Sequence, residues 1–566
     1  MPRPIRPLRR FLRDEEGSMI IFGLFVLVMM LIVGGMAVDF MRFETKRAQL
    51  QSTLDRAVLA AADLDQAGDP ETVVRDYFAK AGLLEEITSV EVIEAINSRT
   101  VRATAALAMD TTFLELVGVE NLDAPAAGGA MESVSDIEIV LVLDVSGSMN
   151  EASDGSTKIA LLRSAARDFV STVLANDFER RVSIAIVPFN AQVNLGPTIF
   201  NAMVADGFNI RNRHGAANSF CLDLQATDVP QDLVFGTPTL ARSLALPQAG
   251  HFDGMSTTSH STGFVNPQGP QAGQIFCRTE TQNFVRPPGQ NVTTLRNQIQ
   301  ALTARGNTSI TLGMEWGLFF LDPGTRSLFN RLVSQGHMPA TLAGRPFDWQ
   351  RDDTLKIIVV MTDGEHVASR FLEAGFRTET SPIFRASDGR YSIRHNSGGP
   401  AGSPFWVPHL GAWHWRVWNG SNPPSMPREC NPNDSRYDES RCPRIPSGMT
   451  PLPWHTVWSQ LRVQWVAWQL YARPLGGTSA ARTTIFNNTM AMMTGDTTVA
   501  GMDATLQQSC QQARDLGVVV FGIAFEAPPA GQAEIYDCSS SPSHFYDATG
   551  LQITTVFRAI AAQINS

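Results

Sequence analysis

The longest unbroken apolar run in the chain is MIIFGLFVLVMMLIVGGMAV at 19–38, twenty positions without a charge. At about 1.5 Å per helical residue such a run crosses a hydrocarbon core of about 30 Å, so the pattern predicts one transmembrane helix there. A cleaved signal peptide carries a shorter apolar stretch, about 7–15 residues, and a retained anchor is the favoured reading. Beyond it, FMRFETKRAQLQSTLDRAVLAAADL has no Gly or Pro, and Leu50, Leu54, Ala57, Val58 and Ala61 recur at helical spacing. The spanning helix therefore continues outward as a rod with a sticky stripe, which packs either on its own domain or on a partner protein. Residues 71–82 predict a second helix, and SVEVIEA and TVRATAALAM alternate like the strands of a hairpin.

From 137 onward strand and helix patterns alternate, as in a doubly wound α/β domain. IEIVLVL at 137–143, RVSIAIVPF at 181–189, LKIIVVM at 355–361 and GVVVFGIAF at 517–525 read as buried strands, with HFYDAT a last short one. Helices are predicted at 157–175, at 290–304, from Thr308 through ITLGMEWGLFFL, and over LQITTVFRAIAAQI. AQVNLGP at 191–197 reads as a short antiparallel edge strand. Tracts at about 191–289, 324–353 and 367–480 are rich in Gly, Pro, Asn and Ser and read as elaborate loops. Eight of the ten tryptophans fall between Trp406 and Trp468, which gives the third tract either a mini-core or a recognition platform.

Composition narrows the setting. A chain of 566 residues exceeds what one core organises, and its 43% hydrophobic content allows ample burial. With 45 basic and 55 acidic residues the net charge is −10, and no long basic run lies beyond the extreme N-terminus, so nucleic acid is not an expected partner. Arg3, Arg6, Arg9, Arg10 and Arg13 precede the span, while Asp39 and Glu44 dilute the charge after it. The positive-inside bias then predicts a cytoplasmic N-terminus, with everything beyond about 40 outside. All six cysteines, Cys221, Cys277, Cys430, Cys442, Cys510 and Cys538, fall on that outer side. An even count in an oxidising compartment permits three disulfides in any of 15 pairings, with nearest-neighbour pairing favoured and buried free thiols the alternative, and no CxxC spacing suggests zinc.

Candidate chemistry lies in three distant segments, DVSGS at 144–148, GNTSI at 306–310 and MTDGE at 361–365. The first and last follow buried strands, and ligands of open α/β sheets bind beyond the carboxyl ends of such strands. Asp144, Ser146, Ser148, Thr308 and Asp363 would supply only oxygen, which suits a small hard divalent ion, Mg²⁺ first, with Mn²⁺ or Ca²⁺ possible. This order of motifs resembles the metal-ion-dependent adhesion site of von Willebrand factor A domains. The resemblance implies that fold over 137–566: a doubly wound, mostly parallel sheet with long loop insertions. It also implies that Ser146, Ser148 and Thr308 touch the ion directly, that Asp144 and Asp363 often act through water, and that a protein partner's carboxylate fills a remaining position.

DEEGSMIIFGLFVL at 14–27, VDFMRFETKRAQLQSTLDRAVLAAA at 38–62 and, more weakly, TTFLELVGVENLDAPAAGGA at 111–130 resemble TadE/TadG-like proteins of bacterial Flp (Tad) pilus systems. The implied organisation is a cytoplasmic basic tail over 1–18, the transmembrane helix over 19–38, and a small α+β region over 39–130. Gly17–Ser18 is similar to a prepilin cleavage junction, but Phe22 stands where pilins carry Glu, which favours a permanent anchor over polymerisation. Together the resemblances imply a membrane-anchored, metal-dependent protein-binding component of a Flp/Tad pilus assembly system, either a minor pilin-like subunit or an assembly factor. Its partners would be other Tad pilus or pseudopilin components and the inner membrane, with the C-terminal domain periplasmic or at the cell surface. The alternative is a pilus-independent envelope adhesin or receptor.

Catalysis is not expected. DVSGSM lacks the leading Gly of a GxSxG nucleophile elbow, and hydroxyl neighbours suit coordination better than proton transfer by Asp144 and Asp363. His366 is read as an exposed loop histidine rather than a general base. His395, His409, His414 and His455 lack a two-ligand helical spacing and are read as parts of a solvent-accessible aromatic loop.

Overall fold

The structure is a computed structural model that describes residues 16–64, 66, 68–94, 98–133, 136–175, 177, 179–224, 242–254, 265–271, 274–351 and 353–565. The arginines at 3, 6, 9, 10 and 13 lie outside these. Two compact units are present, one up to residue 134 and the other from 135 to 565.

In the first unit, helix α1 (Glu16–Ala62) runs unbroken for 47 residues. Its N-terminal part is long and apolar enough to cross a membrane, and Met19, Phe22, Leu24 and Phe25 are exposed along it. The later stripe of Leu50, Leu54, Ala57, Val58 and Ala61 is buried in the unit's own core, so the rod packs on its own domain. Helix α2 (Pro70–Ala81) starts where Asp69 accepts the Thr72 N–H and Pro70 fixes the first turn, and it ends at Gly82 with φ 69°. Strands β1 (Ile87–Glu94), β2 (Ser98–Asp110) and β3 (Asn121–Ser133) form an antiparallel sheet in that order. Val101, Ala103, Ala105, Leu107 and Met109 face the core while the intervening positions face out. β3 carries no strand signal in its APAAGGA stretch. Its small residues are there for the helix: a Cβ on Gly128 would stand 2.4 Å from Leu54 Cδ2.

The second unit is built on a six-stranded sheet. In chain order its members are β4 (Asp136–Asp144), β5 (Val182–Phe189), β6 (Arg286–Gly289), β7 (Thr354–Thr362), β8 (Val519–Phe525) and β9 (Phe545–Ala548). Their spatial order is β6-β5-β4-β7-β8-β9, with every neighbouring pair parallel except β6 with β5. β4 and β5 are buried at every position, as the β-branched, non-alternating runs predict for strands covered on both faces. Helix α3 (Lys158–Val173) follows β4, and helix α4 (Ile310–Phe319) lies against β4, β5 and β7. Gly313 and Gly317 permit that approach, since a Cβ on either would come within 2.9 Å of Val142. Helices α5 (Val499–Asp515) and α6 (Pro529–Cys538) flank β8, and α7 (Gln552–Asn565) pairs with α3 through Phe557 and Phe169, 5.8 Å between centroids.

The antiparallel edge is not 191–197, which forms a buried loop leading into a helix at Gly196–Asp206, but Arg286–Gly289. Pro287 and Pro288 are tolerable there because an edge strand leaves one row of N–H positions unpaired. The three long tracts are also not only loops. They hold helices at Gly196–Asp206, Arg326–Ser334 and Trp454–Gln460 and a four-stranded antiparallel sheet with strands at 383–385, 391–394, 405–407 and 412–414. These elements are too short, and too interrupted by Gly and Pro, to show a period in sequence.

Trp406, Trp454, Trp458 and Trp465 join Phe252, Phe276 and the Cys221–Cys277 disulfide in one apolar cluster, so most of the tryptophan-rich tract is a mini-core. Disulfides also join Cys430 to Cys442 and Cys510 to Cys538. The histidines belong to this ordered packing rather than to an exposed loop: His395 Nε2 meets Leu470 O at 2.8 Å, and the His409 ring lies 4.5 Å from Trp418.

Candidate metal centre

β4 ends at Asp144 and β7 at Thr362, and these neighbouring parallel strands deliver the two strand-end loops to one place. Asp144 is locked at both oxygens: Oδ1 accepts the Ser146 N–H at 2.7 Å, and Oδ2 accepts the Thr362 hydroxyl at 2.6 Å. Ser146 Oγ and Ser148 Oγ are 2.9 Å apart, and Ser148 Oγ donates to Asp363 Oδ1 at 2.7 Å. Thr308 is brought to the same point, because a Cβ on Gly364 would stand 3.8 Å from Thr308 Oγ1 and 4.0 Å from Ser148 Oγ. All five predicted oxygen donors are therefore assembled in one cluster.

Backbone bonds hold the loops there. Gly147 N–H donates to Gly306 O and Arg305 N–H to Val145 O, both at 2.8 Å, and Gly306 takes φ 92°, a conformation suited to glycine. Asn190, at the end of β5, accepts the Ser309 N–H on its carbonyl and donates its Nδ2 to Arg305 O. Val367 N–H then donates to Thr308 O, which ties the loop after β7 to the start of α4.

Asp144 is wholly buried and Asp363 nearly so. Burial, and after it the neighbouring Asp363 carboxylate, pushes Asp144 up to about 7. Burial likewise raises Asp363, against the opposing hydrogen bonds from Ser148 and Lys158. Two buried acids beside three hydroxyls, with no nitrogen or sulfur donor in the predicted set, match the ligand preference of a small hard cation.

Sequence reading missed Lys158, Thr362 and Asn190. Lys158 Nζ lies 3.0 Å from Asp363 Oδ2 and 3.1 Å from Glu151 Oε2. Nothing in TKIALL marks this lysine, because its role depends on α3 starting directly beneath the β7 loop. Thr362 could have been found from the period of β7, which turns it away from Asp363 and toward Asp144.

His366 is buried, contrary to the exposed position expected of it. The Thr311 N–H donates to its Nε2 at 3.1 Å, which leaves the proton on Nδ1, 2.8 Å from Asp503 Oδ1 and 3.3 Å from Glu534 Oε2. His366, Asp503 and Glu534 lie close enough to be considered as metal ligands. With Nε2 accepting from Thr311 of α4 and Nδ1 donating to Asp503 of α5, His366 ties the β7 loop to those two helices, and the Glu534 carboxylate of α6 lies 3.3 Å from Nδ1.

Beside the cluster opens a cleft of about 660 Å³ lined by Gly147, Asn150, Arg163, Arg278, Glu280 and Arg305 among others. Arg278 pairs with Glu280, whereas Arg305 is exposed. The charged lining of this cleft is thus predominantly basic.

Comparison with known proteins finds that residues 17–64 match the family described as Flp pilus-assembly TadE/G-like. No curated protein matches the chain. Among solved structures, the pilus adhesin SpaC from Lactobacillus rhamnosus GG is similar at 11% identity and TM-score 0.29, over 84% of this chain and 34% of that one. The vWF domain of the type V pili tip protein Mfa5 from Porphyromonas gingivalis is similar at 13% identity and TM-score 0.27, over 76% of this chain and 96% of that one. The adhesive tip pilin GBS104 from Group B Streptococcus agalactiae is similar at 12% identity and TM-score 0.28, over 76% and 100%. The chain thus spans about a third of the length of SpaC.

Proposed function

We propose that this protein is a membrane-anchored, metal-dependent protein-binding component of a Flp/Tad pilus assembly system, acting as a minor pilin-like subunit or assembly factor. The observation that carries the binding reading is the convergence of Asp144, Ser146, Ser148, Thr308 and Asp363 at the ends of β4 and β7. The six-stranded sheet supports a von Willebrand factor A domain, and this donor set an adhesion-type site within it. Ser146, Ser148 and Thr308 would hold Mg²⁺ by their hydroxyls, with Asp144 and Asp363 supplying the balancing charge. The ion would contribute an electrophilic position for a partner's carboxylate. Arg163 and Arg305 in the adjoining cleft suit an acidic segment around that carboxylate.

A binding role is favoured over catalysis by how the polar groups are committed. Ser148 donates to Asp363 rather than to a histidine, and both nitrogens of His366 are engaged elsewhere. The pilus setting rests on the family match over 17–64, and the anchor on the exposed apolar part of α1. On this reading the arginine-rich N-terminus stays cytoplasmic and the second unit lies outside the cytoplasmic membrane.

Calorimetric titration of Mg²⁺ into the detergent-solubilised full chain tests the ion site. Saturable heat for the wild type, lost in Asp144→Ala, is expected; equal heats for both would overturn it. Photo-crosslinking in cells from a residue introduced at Glu365 tests the partner. Pilin-family proteins should be captured in an Mg²⁺-dependent manner, and capture without them would return the protein to a pilus-independent adhesin.

A further inference from the structure

The turn joining β2 to β3, residues 111–120, presents an unusual surface. Phe113, Leu116, Val117 and Val119 are exposed by 36, 70, 51 and 39%. Four apolar side chains bared on one short turn would be a liability in water.

This turn is fixed against α1. Asp39 is fully buried, and its Oδ2 accepts three successive backbone N–H groups, from Thr112 at 3.2 Å, Phe113 at 2.7 Å and Leu114 at 2.9 Å. Arg42 Nη1 donates to Thr112 Oγ1 at 3.2 Å. The Phe113 ring lies directly on Gly35, where a Cβ would stand 2.3 Å from it. Gly35 belongs to the apolar run and sits three residues before its end at Val38, which is about 5 Å of helix rise.

We infer that this turn inserts into the interface of the same bilayer that α1 crosses, on the side where residues 39–62 emerge, with Phe113, Leu116, Val117 and Val119 toward lipid. The inference rests on the reading of α1 as a membrane anchor. If Gly35 lies within the membrane boundary, a side chain stacked on it shares that depth. Glu115 and Glu120 are exposed on the same turn, so it reaches headgroup level and no deeper. Asp39 suits such a place, because three backbone donors replace water around its Oδ2 and Arg42 Nη1 stands 3.6 Å from its Oδ1. The turn then gives the first unit a second attachment to the membrane besides the helix itself, and so fixes how its sheet stands on the bilayer.

The test uses the full chain in vesicles of phosphatidylethanolamine and phosphatidylglycerol, carrying a bimane label at Leu24→Cys, Leu116→Cys or Glu91→Cys. No free cysteine competes among the described residues, and position 116 is exposed enough for substitution to spare the fold. With lipids brominated near the headgroup end of the chain, quenching at 116 should reach at least half of that at 24, while 91 stays unquenched. Quenching at 24 without quenching at 116 would overturn the insertion and leave the anchor standing. A label at 116 shielded only at high protein-to-lipid ratio would make a second copy the occupant and overturn it as well. Absence of quenching at 24 would overturn both readings.

Discussion

Lys158 Nζ stands 3.0 Å from Asp363 Oδ2, on the opposite side of that carboxylate from Ser148, which donates to Oδ1 at 2.7 Å. One acid is therefore shared between a fixed ammonium and the hydroxyl cluster. Lys158→Met removes the charge while keeping most of the buried stem. Without added ion, Asp363 then has no cationic partner, and a loss on the order of 3 kcal/mol is expected. Mg²⁺ should recover much of it, so its shift in melting temperature should be larger for the variant than for the wild type. Melting curves with and without Mg²⁺ check this. Equal Mg²⁺ shifts in the two proteins would mean that the ion does not draw on Asp363.

Helix α6 bears on the site without supplying a ligand. A Cβ on Gly531 would stand 2.2 Å from the carbonyl oxygen of Gly364, next to Asp363, and a backbone atom cannot swing aside as a side-chain end can. Gly531→Ala should displace the β7 loop and weaken Mg²⁺ binding about 10-fold to 100-fold, the range typical of changes just outside a coordination sphere. Calorimetry gives the affinity directly. An unchanged affinity in a folded variant would show that the loop tolerates the shift.

These two relationships mark where the sequence stops being readable. The strands β4, β5, β7 and β8 are legible because burial on both faces forces continuous runs of Val, Ile and Leu, and the oxygen donors are legible because Asp, Ser and Thr follow two of those runs directly. The first part of α1 is legible as a long uncharged apolar run, and its continuation beyond Asp39 as a period of about 3.6 sustained without Gly or Pro. β3 is hidden because its small residues answer to Leu54 of the packed helix α1 rather than to strand propensity. Lys158, His366 and the cluster around Trp454 and Trp458 are hidden because their partners lie 205 and 137 positions away and, for the tryptophans, as far back as Cys221, and no local pattern encodes such contacts.

His214 gives the second unit an acid sensitivity of its own. Its Nε2 meets Ala249 O at 2.8 Å, and burial lowers its pKa from the ordinary 6.5 to about 4. The folded state thus keeps the ring neutral where the unfolded chain would protonate it. Stability is full above about pH 6.5, falls as the pH drops toward 4, and levels off below, a loss of about 3 kcal/mol across the window. His214→Gln should remove that share of the decline. Urea unfolding at pH 7 and pH 4.5 measures it, and parallel losses in both proteins would assign the acid sensitivity to other groups.

Asp39 and Gly35 together decide whether the turn after β2 stays on α1, and they can be separated. Gly35→Val places a branched side chain where the Phe113 ring lies, so the ring must leave while the Asp39 hydrogen bonds can persist. Asp39→Ala does the reverse: the ring contact remains, but the N–H groups of Thr112, Phe113 and Leu114 lose their common acceptor at a cost of about 2 kcal/mol. Amide exchange at those three positions should accelerate at least about 10-fold in Asp39→Ala, because 1.4 kcal/mol of local stability corresponds to that factor. Gly35→Val should accelerate them less, and Asp39→Asn, which keeps one acceptor oxygen, less than Asp39→Ala. Exchange that is unchanged in Asp39→Ala would mean that the turn is held by its apolar contacts alone, with the carboxylate only filling space between helix and hairpin.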